Sequence, residues 1–512
     1  MCTAGRSRGP CAPGLHATGP DWNAGDGRAA EAWPSLAKPA RSHHTRSVPR
    51  SWLPVVALSV LLFACNRQPD PPTAPLPPPS AASSASPVAA EASGENAAAP
   101  GVPAAKLGSA APERLSRPAE PLNVILLVVD AMRADMPWAG YPRPIAPNLT
   151  ELERRSVSYT RAYSVSSYTA KSVAAILSGQ YPSSLVRSGV FFTRYPESDW
   201  FFPELLKERH VYTMAAHAHM YMRPGASGLD QGFDAWNVVS GITFNNKTDT
   251  YVTSDRLTAL AIRELEARPT DRRFFMYVHY MDPHDVYMKH AEAPDWGREP
   301  RDRYDQEIFF ADLWLGRLLD YCRKKPWWRH TAVIVTADHG EAFGEHGRYR
   351  HAFELWEPLV RVPMFLHVPG AAPRRIDTPR GHIDLAPTVL DLAGVDPPAD
   401  KLPGKSLVPE LFGASPETRP VLLDLPADSN NFQRRGLVLG EYKVLATEKD
   451  YRIAVYDVTD DPGEKRDLKL TDRKRYDEMV ARYREAWKAV PKVKPYGGNQ
   501  LKGGGRATGP SK

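Results

Sequence analysis

The sequence has few cysteines: Cys2, Cys11, Cys65 and Cys322 are its four among 512 residues. Only Cys322 falls in the part of the chain that has the patterns of a folded domain, so a disulfide framework inside that domain is excluded. Charge of one sign is not in large excess either, because 65 basic and 59 acidic residues leave a net charge of +6 at pH 7. Outside the first forty residues, basic and acidic residues are interspersed, so we expect no nucleic-acid partner.

The sequence also lacks a hydrophobic run long enough to cross a membrane comfortably. The main candidate, residues 52–64, follows basic residues and is shorter than the roughly 20 residues of a transmembrane helix. Its length and basic flank are typical of a signal peptide. The run ends in "LLFAC", which resembles a bacterial lipoprotein signal with Cys65 as the lipidated residue; an ordinary signal peptide or an uncleaved anchor is the alternative. We therefore expect a lipid-anchored protein of the cell envelope, on the periplasmic or outer surface.

Composition divides the chain into five predicted segments. Residues 1–65 form an N-terminal extension and signal. Residues 66–120 form a disordered linker, because their Pro, Ala and Ser content cannot bury enough apolar surface to fold. A catalytic domain is predicted over 121–415 and a smaller C-terminal α+β subdomain over 416–492. The Gly- and Lys-rich end, 493–512, is predicted to be a disordered tail.

Apolar runs alternate with helical patterns through the predicted catalytic domain. The stretch "LNVILLVVDAM" is almost wholly apolar, as expected for a strand buried on both faces of a parallel sheet. The stretch "TSDRLTALAIRELEAR" carries apolar residues at helical spacing. This alternation predicts an α/β fold with a central, mostly parallel sheet flanked by helices. Beyond residue 418, alternating polar and apolar residues predict a small antiparallel sheet, followed by an amphipathic helix.

Polar residues stand where the predicted strands end. Asp130 ends the first strand, Asp338 and His339 end a later one, and Thr169 begins a helix. Sites in open α/β sheets form beyond the carboxyl ends of the strands, so we expect these residues to share one edge. Two carboxylates, a hydroxyl and an imidazole suit one divalent metal ion, whether Mn²⁺, Zn²⁺, Mg²⁺ or Ca²⁺. Each residue also has a structural interpretation, such as a helix cap for Thr169.

Several segments, in this order, resemble the sulfatase branch of the alkaline phosphatase superfamily: "NVILLVVDAMRAD", "SYTAKSVAAILSGQYPSS", "HYMDPHDVY", "VIVTADHGEAFGEHG" and "HIDLAPTVLDLAG". The resemblance implies an alkaline phosphatase-like α/β domain with a smaller C-terminal domain. The family motif is usually C-x-P-S-R, whose cysteine is oxidised to formylglycine. Here Thr169 stands at the cysteine, Lys171 at the proline and Val173 at the arginine. Because threonine cannot become formylglycine by the known route, no formylglycine is expected.

A threonine at this position resembles the phosphoethanolamine and phosphoglycerol transferases of the same superfamily. That resemblance implies that Thr169 is the nucleophile. It also implies a set of four metal ligands: Asp130, Thr169, Asp338 and His339. Two further catalytic residues, His284 and His351, are implied to contact the transferred group or the leaving group.

Three functions remain open at this point. The first is a metal-dependent hydrolase or transferase that acts on phosphate (or sulfate) esters through Thr169, with envelope lipids or glycans as substrates. The second is a sulfate ester hydrolase that works without formylglycine. The third is an inactive surface lipoprotein that binds anions, which the joint presence of the four predicted ligands argues against.

Three residues near the predicted site have open assignments. A shifted register of the motif makes Ser167 the alternative nucleophile. His219 follows a predicted strand and can reach the site. His279, in another strand, has equal reason to be a structural histidine of the core.

Overall fold

The computed structural model describes residues 118–243 and 251–497. The α-helices in these residues are α1 Pro147–Glu153, α2 Thr169–Ser178, α3 Phe202–Glu208, α4 Ser254–Ala267, α5 Pro300–Arg323, α6 Glu357–Val360, α7 Leu385–Leu392, α8 Val408–Leu411, α9 Leu468–Thr471 and α10 Arg473–Lys488. The strands are β1 Asn123–Val129, β2 Val157–Tyr159, β3 Ala162–Tyr163, β4 Tyr212–His217, β5 Ala235–Val238, β6 Phe274–Tyr280, β7 Thr331–Thr336, β8 Ala342–Phe343, β9 Tyr349–Arg350, β10 Arg361–Val362, β11 Met364–His367, β12 Arg374–Ile376, β13 Arg380–Gly381, β14 Val421–Leu425, β15 Arg434–Leu439, β16 Tyr442–Thr447 and β17 Arg452–Asp457. Short 3₁₀ turns cover Pro137–Ala139, Pro182–Ser184, Met220–Met222, Pro326–His330, Glu345–Gly347 and His382–Asp384.

The central sheet has eight strands in the order β12-β2-β11-β7-β1-β6-β4-β5. The five strands from β7 to β5 in that order are parallel to one another. β11 runs antiparallel to both of its neighbours, and β12 is parallel to β2. The prediction of a central, mostly parallel sheet is therefore confirmed.

The apolar run of β1 is explained by burial on both faces of the sheet. Val124, Leu126 and Val128 belong to the hydrophobic core that includes apolar side chains of α2 and α7. The alternate residues, such as Ile125 and Leu127, pack into the opposite core with α4 and α5. Since successive side chains of a strand point to opposite faces, a central strand between two helical layers has to be apolar throughout. This arrangement holds the carboxyl end of β1 in the middle of the sheet.

A second, smaller sheet lies near the C-terminus, with β14, β15, β16 and β17 paired antiparallel in chain order. The amphipathic helix α10 packs Met479, Tyr483 and Trp487 against apolar residues of this sheet. The prediction of a C-terminal antiparallel sheet with a helix is confirmed.

Some of the predicted segments lie outside the described residues. They are the signal with Cys65, nearly all of the 66–120 linker and most of the 493–512 tail. The domain boundaries near residues 415 and 492 remain predictions. Within the two described ranges, every helix is too short or too polar to span a membrane.

Candidate active site

The candidate residues meet at the carboxyl ends of four neighbouring parallel strands. Val128 of β1 is paired with His279 of β6 and with Thr336 of β7, and His217 of β4 is also paired with His279. Each of three strands is followed by a polar residue two positions after the residue just named: Asp130 after Val128 of β1, Asp338 after Thr336 of β7 and His219 after His217 of β4. Parallel strands in this register bring those positions to one edge of the sheet, as the sequence predicted for the two aspartates.

Asp130 and Asp338 form a buried pair of carboxylates. Burial, followed in size by the negative charge of Asp338, raises the pKa of Asp130 to about 7. Asp338 accepts hydrogen bonds at Oδ1 from the backbone N–H groups of Ala131 and His339, at 3.3 and 3.0 Å. Within the described residues, Oδ2 of Asp338 and both oxygens of Asp130 accept no well-formed hydrogen bond. Buried carboxylates left in this state need a positive partner.

Thr169 is the first residue of α2, and Tyr168 rather than Thr169 occupies the N-cap position. The structure therefore does not support the helix-cap interpretation of Thr169. Its Oγ1 lies 3.1 Å from Nε2 of His339. The other ring nitrogen of His339, Nδ1, donates to the carbonyl of Gly340 at 2.9 Å, because a carbonyl can only accept. Nε2 of His339 therefore carries a lone pair that points towards the threonine hydroxyl. This hydroxyl lies at the N-terminus of α2, where the backbone N–H groups and the helix dipole favour anions.

His284 and His351 lie side by side next to His339. The rings of His351 and His339 are stacked with centroids 4.3 Å apart, and the ring of His284 lies 4.9 Å from that of His351. Burial is the main cause that lowers the pKa of His351 to about 3, and the neighbouring His284 contributes a smaller lowering. Nδ1 of His351 lies 3.2 Å from a carboxylate oxygen of Glu341, whose pKa burial raises to about 7. The free site thus holds His351 as a neutral imidazole oriented by Glu341.

A cavity of about 320 Å³ opens beside these groups. Thr169, His219, His284 and His351 are among its lining residues. Its wall also carries aromatic side chains: Tyr168, Phe191, Phe192, Tyr221 and Tyr251. Ser167, the alternative nucleophile, is fully buried and does not line this cavity. The geometry therefore favours Thr169 over Ser167 as the group that meets a substrate.

The four predicted ligands fit a divalent cation. Nε2 of His339 lies 3.5 Å from the nearest carboxylate oxygens of both Asp130 and Asp338, and 3.1 Å from the Thr169 hydroxyl. Ligands at bond lengths of about 2.0–2.1 Å around a tetrahedral ion are separated by roughly 3.3 Å, which is close to these spacings. Asp130, Asp338 and His339 thus offer one compact ligand group.

Some residues of the site are not predicted from the sequence. Glu341 is not among the predicted residues, although an acid three residues after Asp338 in "DHGE" is a visible signal. The sequence leaves the roles of His219 and His279 open, and both are buried next to Asp130. Nothing in a single sequence shows that strands β4 and β6 lie beside β1, because strand order depends on long-range pairing.

Lys171, at the position where the family has proline, has a structural explanation. Its side chain is buried, and Nζ lies 2.5 Å from Oδ2 of Asp428. Asp428 also accepts hydrogen bonds from the backbone N–H groups of Asn430 and Asn431, at 2.8 and 2.7 Å. This buried ion pair ties the first turn of α2 to the loop that follows β14.

Comparison with known proteins identifies the class of this protein. The family model described as "Sulfatase" matches residues 122–395, and the model "N-sulphoglucosamine sulphohydrolase, C-terminal" matches residues 344–492. The first match covers more than half of the chain, so this protein belongs to the sulfatase family. It is a sulfatase-family hydrolase with an alkaline phosphatase-like fold.

Individual relatives are distant. The chain is 26% identical to N-acetylgalactosamine-6-sulfatase of Canis lupus familiaris over 63% of this chain and 71% of the relative. It is 24% identical to choline-sulfatase of Rhizobium meliloti over 67% of this chain and 81% of the relative. Among solved structures, the phosphonate monoester hydrolase of Agrobacterium radiobacter matches with a TM-score of 0.57 and 18% identity, covering 72% of this chain and 95% of that one. At that identity the structural match supports the fold alone.

Proposed function

We propose that this hydrolase is a metal-dependent phosphoesterase or phosphotransferase whose nucleophile is Thr169. The observation that carries the proposal is the position of the Thr169 hydroxyl, 3.1 Å from His339 and at the start of α2, where the family motif has its modified cysteine. An unmodified threonine attacks phosphorus to give a phosphothreonine, which water or an acceptor hydroxyl can then resolve. Envelope lipids or glycans that carry phosphate esters are the substrates we propose.

A divalent cation held by Asp130, Thr169, Asp338 and His339 would lower the pKa of the Thr169 hydroxyl and balance charge on the transferred group. The hydroxyl proton leaves to solvent in the cavity, and the Oγ1–phosphorus bond forms as the ester oxygen–phosphorus bond breaks. Backbone N–H groups at the start of α2 attract the anionic oxygens.

His284 is the better donor of a proton to the leaving oxygen, because burial holds His351 neutral in the free site. Nδ1 of His284 donates to the carbonyl of Asp285 at 2.9 Å, which leaves Nε2 as the nitrogen available to substrate. In the second step His284, having given up its proton, accepts one from the attacking water. The water oxygen–phosphorus bond forms as the Oγ1–phosphorus bond of the phosphothreonine breaks, and Oγ1 of Thr169 takes up a proton from solvent.

Sulfate ester hydrolysis without formylglycine is the second candidate function. The names of two relatives, N-acetylgalactosamine-6-sulfatase and choline-sulfatase, favour it. The same residues would then transfer a sulfuryl group to Thr169.

Parallel assays of aryl phosphate, aryl phosphodiester and aryl sulfate esters separate these functions. We expect turnover of at least one phosphate ester to exceed that of the sulfate ester at equal concentration and leaving group. Faster turnover of the aryl sulfate contradicts our proposal and favours the second function. Bound metal without turnover of any ester favours the inactive, anion-binding interpretation.

We also propose that Cys65 carries a lipid that anchors the enzyme to the cell envelope, on the periplasmic or outer surface. The support is the basic, apolar and cysteine-terminated pattern of residues 41–65. In a bacterial host, the full chain is expected to sediment with membranes, and the Cys65→Ser chain to shift to the soluble fraction or remain unprocessed. Identical fractionation and processing of the two chains would contradict lipidation at Cys65.

A further inference from the structure

The two oxygens of the Asp130 carboxylate face different groups of ligands. Oδ1 is the oxygen near His339, at 3.5 Å from its Nε2. Oδ2 lies 3.0 Å from Nε2 of His219 and 3.9 Å from Nε2 of His279. All the contacting nitrogens and oxygens are buried at the same edge of the sheet. Asp130 thus stands between the predicted metal site and a second group of possible ligands.

We propose that Asp130, His219 and His279 form a second metal site, and that Asp130 bridges it to the site of Thr169, Asp338 and His339. Ligand atoms of Asp130, His219 and His279 all lie within 4.8 Å of one another. Two imidazoles and one carboxylate favour Zn²⁺ over Mg²⁺ or Ca²⁺, which prefer oxygen ligands. The proposal concerns metal content and holds whichever ester the enzyme cleaves.

The spacing and surroundings of this triad suit a zinc ion. Tetrahedral zinc separates its ligands by roughly 3.3 Å, so observed separations of 3.0 and 3.9 Å need only small side-chain shifts. Oη of the buried Tyr277 lies 2.8 Å from Nδ1 of His279, the type of outer contact that orients a metal-binding imidazole. Three protein ligands leave a fourth position, and His219 lines the cavity beside Thr169. The fourth ligand of this ion can therefore be an atom of a substrate bound in that cavity.

A direct contact with Asp130, without metal, explains His219 but not His279. Nε2 of His219 lies 3.0 Å from Oδ2 of Asp130, which is close enough for an ion pair. Nε2 of His279, however, lies 3.9 Å from the nearest oxygens of both Asp130 and Asp338, which is too long for a hydrogen bond. Within the described residues that buried nitrogen has no hydrogen-bond partner. A buried imidazole nitrogen left in this state is better explained by a cation held between it, His219 and Asp130.

Zinc binding by the metal-stripped protein tests this second site. We would titrate Zn²⁺ against a competing chromophoric chelator and count the bound zinc after gel filtration by mass spectrometry of the metal. The wild-type protein is expected to hold two zinc ions per chain, and the His279→Gln and His219→Gln variants one. Thermal unfolding followed by circular dichroism checks that each variant is folded.

His217→Gln is the matched control, because His217 is an equally buried histidine of β4 that belongs to neither ligand group. It is expected to retain two zinc ions. A wild-type count of one, or a count of two in both folded variants, overturns the second site. Because the readout is stoichiometry, failure of the phosphoesterase proposal would appear separately, as two bound zinc ions without turnover of phosphate esters.

Discussion

Replacing Thr169 by valine is expected to reduce turnover of the enzyme's best ester on the order of 10³-fold or more, because it removes the nucleophile. Valine keeps the branched shape of threonine at this buried position, so the loss reports on the hydroxyl. The reduction should appear in kcat, measured with saturating aryl ester, since the other groups that contact substrate remain in place.

Thr169→Ser is the control for this substitution. Serine keeps a hydroxyl at the first position of α2, so this variant is expected to retain turnover within about tenfold of the wild-type value. If the valine variant keeps the wild-type rate, the nucleophile is another residue, and Ser167 in the preceding turn is the next to examine. If both variants lose activity and unfold at lower temperature, the effect is structural.

Asp338→Asn is expected to lower the stability of the protein when metal is bound but not when metal is absent. In the presence of saturating Zn²⁺, the wild-type protein gains stability from binding, by about 2.7 kcal/mol when the free ion is at 100 times its Kd. The variant should gain much less and should lose turnover, because it lacks one charged ligand of the predicted metal site. Differential scanning fluorimetry with and without added zinc, run beside an activity assay, measures both effects.

In excess chelator the Asp338→Asn variant should be at least as stable as the wild type. The charge of Asp338 raises the pKa of its buried neighbour Asp130, so removing that charge relieves repulsion on the order of 1 kcal/mol. Oδ1 of the asparagine can keep the hydrogen bonds from Ala131 and His339. The metal-free variant should therefore unfold at the same temperature as the metal-free wild type, or a few degrees above it. A lower unfolding temperature for the variant in both conditions would contradict a metal-binding role for Asp338.

The sheet could be predicted because its signals are local. The apolar run of β1 and the helical spacing of α4 each indicate their own element, and their alternation leaves few ways to arrange a parallel sheet. Asp130, Asp338 and Thr169 could be placed together for the same reason, since strand ends and helix starts meet at one edge.

The remaining parts of the site depend on contacts between distant segments. His219 and His279 matter because β4 and β6 lie on one side of β1, and no local pattern encodes that order. Lys171, which stands where the family motif has proline, forms a buried ion pair with Asp428 from the C-terminal part of the chain. A buried pair of this kind can be understood only once both residues are seen in contact.

Mass spectrometry of the intact protein tests the central claim most directly. The wild-type enzyme and the Thr169→Val variant would be quenched in acid seconds after mixing with an aryl phosphate or phosphodiester, and the modified residue located by peptide fragmentation. Our account predicts a phosphoryl-type adduct on Thr169 in the wild type and none in the variant. An adduct on another residue, or turnover of an aryl ester that survives in the variant, would contradict Thr169 as the nucleophile.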